Sequence, residues 1–231
     1  MTSKKPKVLA IGSSPRKDGN TEQFLKFALN LISGYGIETE YIGLRDKKIE
    51  GCISCRHCRV SQIAECAIKD DFAPIFKKVY EADGLILGTP VYFGSKTAKM
   101  TALLERLGMV AEGRHAIDVP LSDVGWPDSK GPGLWSGKVG GAIVSTRRAG
   151  GNFVLAELLL WFSILGFVIV TGTYWTVAIG GTRIPGLVKE GERATSELSK
   201  DQLQKDPEAV KAVKDFAHQF GQVVSKWRKE G

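Results

Sequence analysis

The sequence predicts an α/β protein: a five-stranded parallel sheet covered by helices on both faces. Three observations predict it. Five short apolar, β-rich runs alternate with four helical patterns, the signature of strands joined by helical crossovers. Residues 153–181 carry one charge, Glu157, yet join a helix-like LAELLLWFSIL to a β-rich FVIVTG, as a buried helix leading into a central strand does. Three of the loops that leave strand carboxyl ends are rich in the residues that hold ligands, and ligands on such sheets sit at that edge.

In order, KVLAI (7–11) is the first strand and GSSPRKDGNT (12–21) its loop. A helix over 22–33 follows, with Leu25, Phe27, Ala28, Leu29 and Ile32 at its apolar positions and Gly34 and Gly36 beyond its end. ETEYIGL (38–44) is the second strand, followed by the loop that carries every cysteine. Asp70 or Asp71 caps a helix that runs to about residue 82. The third strand spans 83–88, and TPVYFGS (89–95) leads to a helix over 96–107. Residues 109–137, rich in Gly, Pro and Asp, are expected to form a surface excursion. KVGGAIVS (138–145) is the fourth strand, then come TRRAGG, a helix ending at 165, and the fifth strand over 167–171. Residues 182–203 are polar and expected to be irregular. From 207 to 229, Val210, Val213, Phe216, Ala217, Phe220, Val223, Val224 and Trp227 recur at helical spacing, so a last amphipathic helix packs on the body or on a partner. The expected organisation is a domain over 1–181, with the cysteine loop at 51–71, and a C-terminal extension over 182–231.

The chain has 231 residues, 43% of them hydrophobic, and a net charge of +7. That suits one sizeable domain and phosphate-bearing ligands. Lys and Arg are scattered, with short runs only at 4–7 and 226–229, so the basic balance is a solvated surface and not a nucleic-acid site. The glycines at 166 and 172 interrupt the apolar stretch, which argues against a membrane span. The polar start carries no export pattern, and clustered cysteines in such a chain point to a reducing cytoplasm.

The first loop offers the hydroxyls of Ser13, Ser14 and Thr21, the guanidinium of Arg16 and the amide of Asn20 at the start of a helix. Free N–H groups and the helix dipole there favour a phosphate. Neither GxxxxGK[ST] nor GxGxxG is present, so a terminal monophosphate, as in FMN, fits better than a pyrophosphate. A plain Ser/Pro/Gly turn is the alternative. In the second loop, Pro90, Val91, Tyr92, Phe93, Gly94 and Ser95 combine backbone amides, aromatic edges and a close approach at glycine, suited to a flat ring. Core positions for Tyr92 and Phe93 are the alternative. In the third loop, Thr146, Arg147, Gly150 and Gly151 would pass the same ring, with Arg147 or Arg148 facing negative charge, unless the two arginines are only surface groups.

All four cysteines lie between residues 51 and 71, as Cys52, Cys55, Cys58 and Cys66, in the pattern C-x2-C-x2-C-x7-C. Four thiolates around one small volume suit a cubane iron–sulfur cluster. The last gap is longer than in two-cluster ferredoxins and no proline follows, so a cluster would be single and local. Zinc prefers two separated C-x2-C pairs, and free or redox-active thiols remain an alternative. His57, His115 and His218 form no convincing catalytic set, and His57 is expected to be exposed.

GSSPRKDGNT, TPVYFGS and the GG loop resemble the flavodoxin-like NAD(P)H-dependent FMN reductases, and CISCRHCRVSQIAEC resembles their iron–sulfur flavoprotein branch. The match covers about residues 7–180. The resemblance implies a sheet of order 2-1-3-4-5. It implies FMN held by Ser14, Arg16, Asn20 and Thr21 at its phosphate and by Pro90–Ser95 at its ring. It implies a [4Fe-4S] cluster on Cys52, Cys55, Cys58 and Cys66, a homodimer or homotetramer, and a cluster lying near a neighbour's flavin. The implied activity is that of a flavin-dependent oxidoreductase with no protein catalytic residue. Electrons would pass from a ferredoxin or NAD(P)H to a small-molecule or protein acceptor. Two rivals stand beside it: an FMN or quinone reductase whose cysteine loop binds no cluster, and a cysteine-based redox or metal sensor on the same scaffold.

Overall fold

A computed structural model describes residues 5–61, 65–118, 133–179 and 206–227, with side chains described except at 114–118 and 227. The strands are β1 (Lys7–Gly12), β2 (Glu38–Gly43), β3 (Gly84–Pro90), β4 (Val139–Thr146), β5 (Val168–Ile169) and β6 (Val177–Ile179). The helices are α1 (Asn20–Ser33), α2 (His57–Val60), α3 (Phe72–Glu81), α4 (Ala98–Asp118), α5 (Gly151–Ile164) and α6 (Pro207–Trp227). The sheet order is β2-β1-β3-β4-β5, and every pairing is parallel. β3 and β4 are apolar and buried along nearly their whole length, because helices cover both their faces.

Two cores flank the sheet. On one face Val8, Ala10, Ile86 and Ile143 pack with Phe24, Leu25 and Ile32 of α1 and with Val213, Phe216 and Phe220 of α6. The last helix therefore fills the same core as the first. On the other face Leu9, Ile11, Leu85 and Val144 pack with α3, α4 and α5. Among the described residues no helix is long and apolar enough to cross a membrane.

Two expectations need correction. The fifth strand is split: β5 pairs with Val139–Gly140 and β6 with Val144–Thr146 along the same edge of β4. Between them the chain turns in against α6, where a Cβ on Gly172 would lie 3.0 Å from the Ala212 carbonyl oxygen. The Thr176 hydroxyl donates to the Ala142 carbonyl at 2.5 Å and covers part of the unpaired edge. Second, the supposed excursion over 109–137 begins as helix, since α4 continues to Asp118 with Val110 and Ala111 buried. At its other end Trp135 is only 1% exposed and stacks 6.0 Å from Phe167 in the core. Glycines at 108 and 113 imitate a helix stop, but packing outweighs their propensity cost of about 1 kcal/mol each. The alternative that put Tyr92 and Phe93 in the core is not met: both are exposed, Phe93 fully. The expectation for 182–203 lies outside the described residues.

Candidate functional site

Three loops meet at the carboxyl edge of β1, β3 and β4, and a network of buried hydroxyls holds them there. Ser13 donates to Thr89 Oγ1 at 3.0 Å and accepts from Thr97 Oγ1 at 2.7 Å, joining the first loop to the second. Thr21 and Ser145 share a hydrogen bond of 2.5 Å, joining the first to the third. The Val91 N–H donates to the Ser145 carbonyl at 2.8 Å, joining the second to the third. All five hydroxyl residues are buried. Ser13 and Thr21, candidates for ligand contact, therefore spend their hydroxyls inside the fold.

The first loop ends at Gly19, the N-cap of α1, and no side chain caps that helix end. A Cβ at Gly19 would lie 3.0 Å from the Ser14 hydroxyl and 3.2 Å from Arg16 Cβ, so a side chain there would press on the closed loop. The Ser14 hydroxyl accepts from the Arg16 N–H at 3.2 Å. Arg16 is exposed beside a helix start whose N–H groups point outward, and Asn20 is the first helical residue. The buried carboxylate of Glu22 in the same turn is matched by Lys26 at 2.6 Å and Arg45 at 3.8 Å, so it does not leave an uncompensated negative charge there.

In the second loop Tyr92 and Ser95 exchange both backbone hydrogen bonds, and Phe93 and Gly94 between them take positive φ of 50° and 81°. A phenylalanine held in that conformation is costly, and such strain gathers where chains contact ligands. In the third loop the Thr146 hydroxyl donates to the Ala149 carbonyl at 2.9 Å. Gly150, at φ 85°, meets Gly94: a Cβ on Gly150 would stand 3.1 Å from Gly94 Cα and 3.3 Å from Val91 Cγ1. Gly151 is pressed likewise against Val177. Arg147 and Arg148 are exposed, as are Ser95 and Tyr92. The edge is thus a rigid rim with exposed aromatic, backbone and cationic groups, and its glycine cradle fits a flat ring carrying a phosphate.

The cysteine segment lies along α4, held at seven-residue steps. Lys99 donates to the carbonyls of Leu44, Arg45 and Lys47 at 2.7–3.0 Å. Arg106 donates to Glu50 and Ile68 carbonyls, and Gly113 lies under Cys58, where a Cβ would stand 2.0 Å from the Cys58 carbonyl oxygen. Beside that stripe, Glu105 accepts from the Cys52 N–H at 3.0 Å and Glu112 pairs with Arg59. The Cys58 thiol donates to the Met109 carbonyl at 3.3 Å.

Cys52, Cys55, Cys58 and Cys66 line one cavity together with Arg106, Met109 and Val110. Cys58 is buried and Cys55 exposed, and none forms a disulfide. Burial pushes the Cys58 thiol up, and the charges of Cys66, Cys52 and Cys55 add to the shift. No group of three or more His, Cys, Asp or Glu side chains that could hold a metal ion occurs among the described residues. Four soft sulfur donors around a shared cavity fit an iron–sulfur group in their chemistry. His57 is exposed, on the outside of α2.

A family model described as NADPH-dependent FMN reductase matches residues 6–182. The chain belongs to the NADPH-dependent FMN reductase family. It is a flavin-dependent oxidoreductase and, within that family, resembles the iron–sulfur flavoproteins. One such protein from Methanocaldococcus jannaschii is 34% identical over 213 residues, covering 90% of this chain and 99% of that one. Another from Archaeoglobus fulgidus is 28% identical, covering 95% of this chain and 97% of that one. Among solved structures, RosB with a bound 8-demethyl-8-formylriboflavin-5'-phosphate superposes with a TM-score of 0.67 at 17% identity, covering 97% of this chain and 81% of RosB. A flavodoxin from the domain Archaea gives 0.51 at 13% identity, covering 94% and 98%. At these identities the structural likeness speaks for the flavodoxin-like fold alone.

Thr97 and Ser145 beneath the rim, and Lys99, Glu105, Arg106, Glu112 and Gly113 along α4, were not among the candidates the sequence offered, and Thr89 stood there only as the start of the second loop. A signal for the second group was present: Lys99, Arg106 and Gly113 are spaced by seven, as are Glu105 and Glu112, which places each set on one helical face. Ending the helix at 107 concealed it.

Proposed function

We propose that this chain is an FMN-dependent iron–sulfur flavoprotein that passes electrons between a reduced carrier and an acceptor. The observation that supports it most is the shared cavity of Cys52, Cys55, Cys58 and Cys66, in the segment that leaves the carboxyl end of β2. Ser14, Arg16, Asn20 and the first N–H groups of α1 bind the terminal phosphate. Pro90, Val91, Tyr92, Phe93, Gly94 and Ser95, together with Thr146, Arg147, Gly150 and Gly151, would hold the ring. Ser13 and Thr21 tie the phosphate loop to its neighbours. When bound, FMN and a [4Fe-4S] cluster supply coupled two-electron and one-electron chemistry. The donor is a ferredoxin or NAD(P)H, and the exposed Arg147 and Arg148 offer cations to an anionic donor.

Metal analysis and a visible spectrum of anaerobically purified protein test this reading. About four irons and four sulfides per chain are expected, the count a cubane requires. A yellow protein with zinc or no metal would leave an FMN or quinone reductase with a cluster-free loop. Arg16→Ala should weaken FMN retention about tenfold, because a phosphate loses a charged donor. Unchanged FMN affinity in equilibrium dialysis would contradict that role.

A second copy of the chain is the partner proposed for α5. Its outer positions Phe153, Leu160 and Ile164 are 80%, 69% and 65% exposed, and such a run of large apolar groups suits burial against a copy of itself. From Ala98, beside the second loop, to Arg106 at the cysteine cavity, α4 rises about 12 Å. In such an assembly a neighbouring subunit would bring its own rim to the cavity. Sedimentation of the loaded protein should show a dimer or tetramer; a monomer at micromolar concentration would refute it.

A further inference from the structure

We propose that Arg106 is the electrostatic and positioning partner of the sulfur site, holding Cys66 in place and raising the reduction potential of the cluster; this rests on the cluster reading above. Arg106 is 1% exposed, and a charge that deep in a protein is there with partners. One guanidinium nitrogen donates to Asp70 Oδ2 at 2.6 Å and to the Glu50 carbonyl at 3.2 Å. The other donates to Cys66 Sγ and to the Ile68 carbonyl, both at 3.3 Å. The guanidinium carbon lies 4.2 Å from the centre of the Phe72 ring. A single planar fork thus joins the stretch before Cys52 to the stretch after Cys66.

Closing that loop needs only the ion pair with Asp70 and the two carbonyls. The donation to sulfur goes further. Arg106 lines the cysteine cavity, and its Nε is buried without a hydrogen-bond partner, so the guanidinium keeps donor capacity unspent. Positive charge and N–H donors next to a sulfur ligand stabilise the reduced, more negative state of an iron–sulfur group, which raises its potential. Asp70, on the other arm of the fork, offsets part of the charge without touching Cys66. Lysine cannot replace the arrangement, because a point ammonium lacks the fork that reaches carboxylate and sulfur together.

The test is an EPR-monitored redox titration of the anaerobically loaded protein, with iron release to a chelator measured beside it. Arg106→Lys keeps the charge and loses the fork. The pair Arg106→Met with Asp70→Asn removes both charges without stranding either. Both variants should titrate at a more negative cluster potential, the double variant by more, while the FMN potential stays in place. Iron release should accelerate about tenfold, the loss expected for one hydrogen bond to a charged group. If the double variant does not fold, Arg106→Lys still carries the test. Variants with the wild-type cluster potential and iron-release rate would overturn the proposal alone. Wild-type protein that takes up no iron would overturn the cluster reading and this proposal with it.

Discussion

Gly113→Ala should strip the cysteine loop of iron while FMN stays bound. A Cβ at this position would stand 2.0 Å from the Cys58 carbonyl oxygen and 2.6 Å from its carbon. Backbone cannot yield as a side-chain tip does, so α2 must lift away from α4. The displacement breaks the Arg59–Glu112 ion pair and the contact of the Cys58 thiol with Met109. Overpacking of this kind costs about 1–3 kcal/mol, more than the roughly 1 kcal/mol of helix propensity that alanine returns. Gly108 in the same helix is the control, because a Cβ there meets nothing within 4 Å. Gly108→Ala should keep its iron and melt about 2–4 °C higher. Cys58→Ala removes a sulfur without moving the backbone, so it too should lose the cluster and keep FMN, but its apo-protein should melt close to wild type. Iron analysis, flavin absorbance and thermal melts of the three variants separate these outcomes. A Gly113→Ala protein with full iron content would show that α2 does not bear on α4 as described.

Asp70→Ala should be the most destabilising single change at the site. The side chains of Asp70 and Arg106 are each 1% exposed and lie 2.6 Å apart. The same carboxylate accepts the N–H groups of Glu50 at 2.9 Å and Phe72 at 3.0 Å, the latter opening α3. Its neighbour Asp71, the formal N-cap, makes no cap and instead accepts from the Lys48 N–H. Removing Asp70 leaves a guanidinium buried without its counter-charge, a loss of about 3–5 kcal/mol, or roughly 10 °C in melting temperature for a chain of this size. Burial alone would raise the Asp70 carboxyl, but hydrogen bonds from Arg106, Glu50 and Phe72 and the Arg106 charge hold it below the usual carboxylate range. A depressed folded value stabilises the protein above the ordinary value near pH 4 and loses that contribution as pH falls through the folded value. The gap between wild type and Asp70→Ala should therefore be widest at neutral pH and narrow below about pH 4. Melts of cofactor-free protein from pH 7 to pH 3 measure it, free of acid-labile iron. A constant gap across that range would refute the linkage to this carboxylate.

Much of the architecture was legible because its signals are local. Apolar runs such as GLILGTP and VGGAIVST read as buried parallel strands on composition alone, and α1 and α6 declared themselves by period. The split of the fifth strand was not legible, since it arises where Gly172 is drawn against α6, some forty residues further along the chain. Tyr92 and Phe93 had no local signature of exposure either; a turn with two positive φ angles sets it.

The cysteine spacing, the loop chemistry and the alternation of strand and helix are properties of neighbouring residues, and from these the sequence alone determined the fold class, the flavin-reductase resemblance and the candidate ligands. Only the tertiary structure decided that Ser13 and Thr21 spend their hydroxyls on Thr89, Thr97 and Ser145, and that α4 forms the bed of the cysteine segment. The physical reason is sequence distance. Asp70 and Arg106 become an ion pair only when folding removes both from water and places them in contact, and no local pattern records which buried charge will meet which.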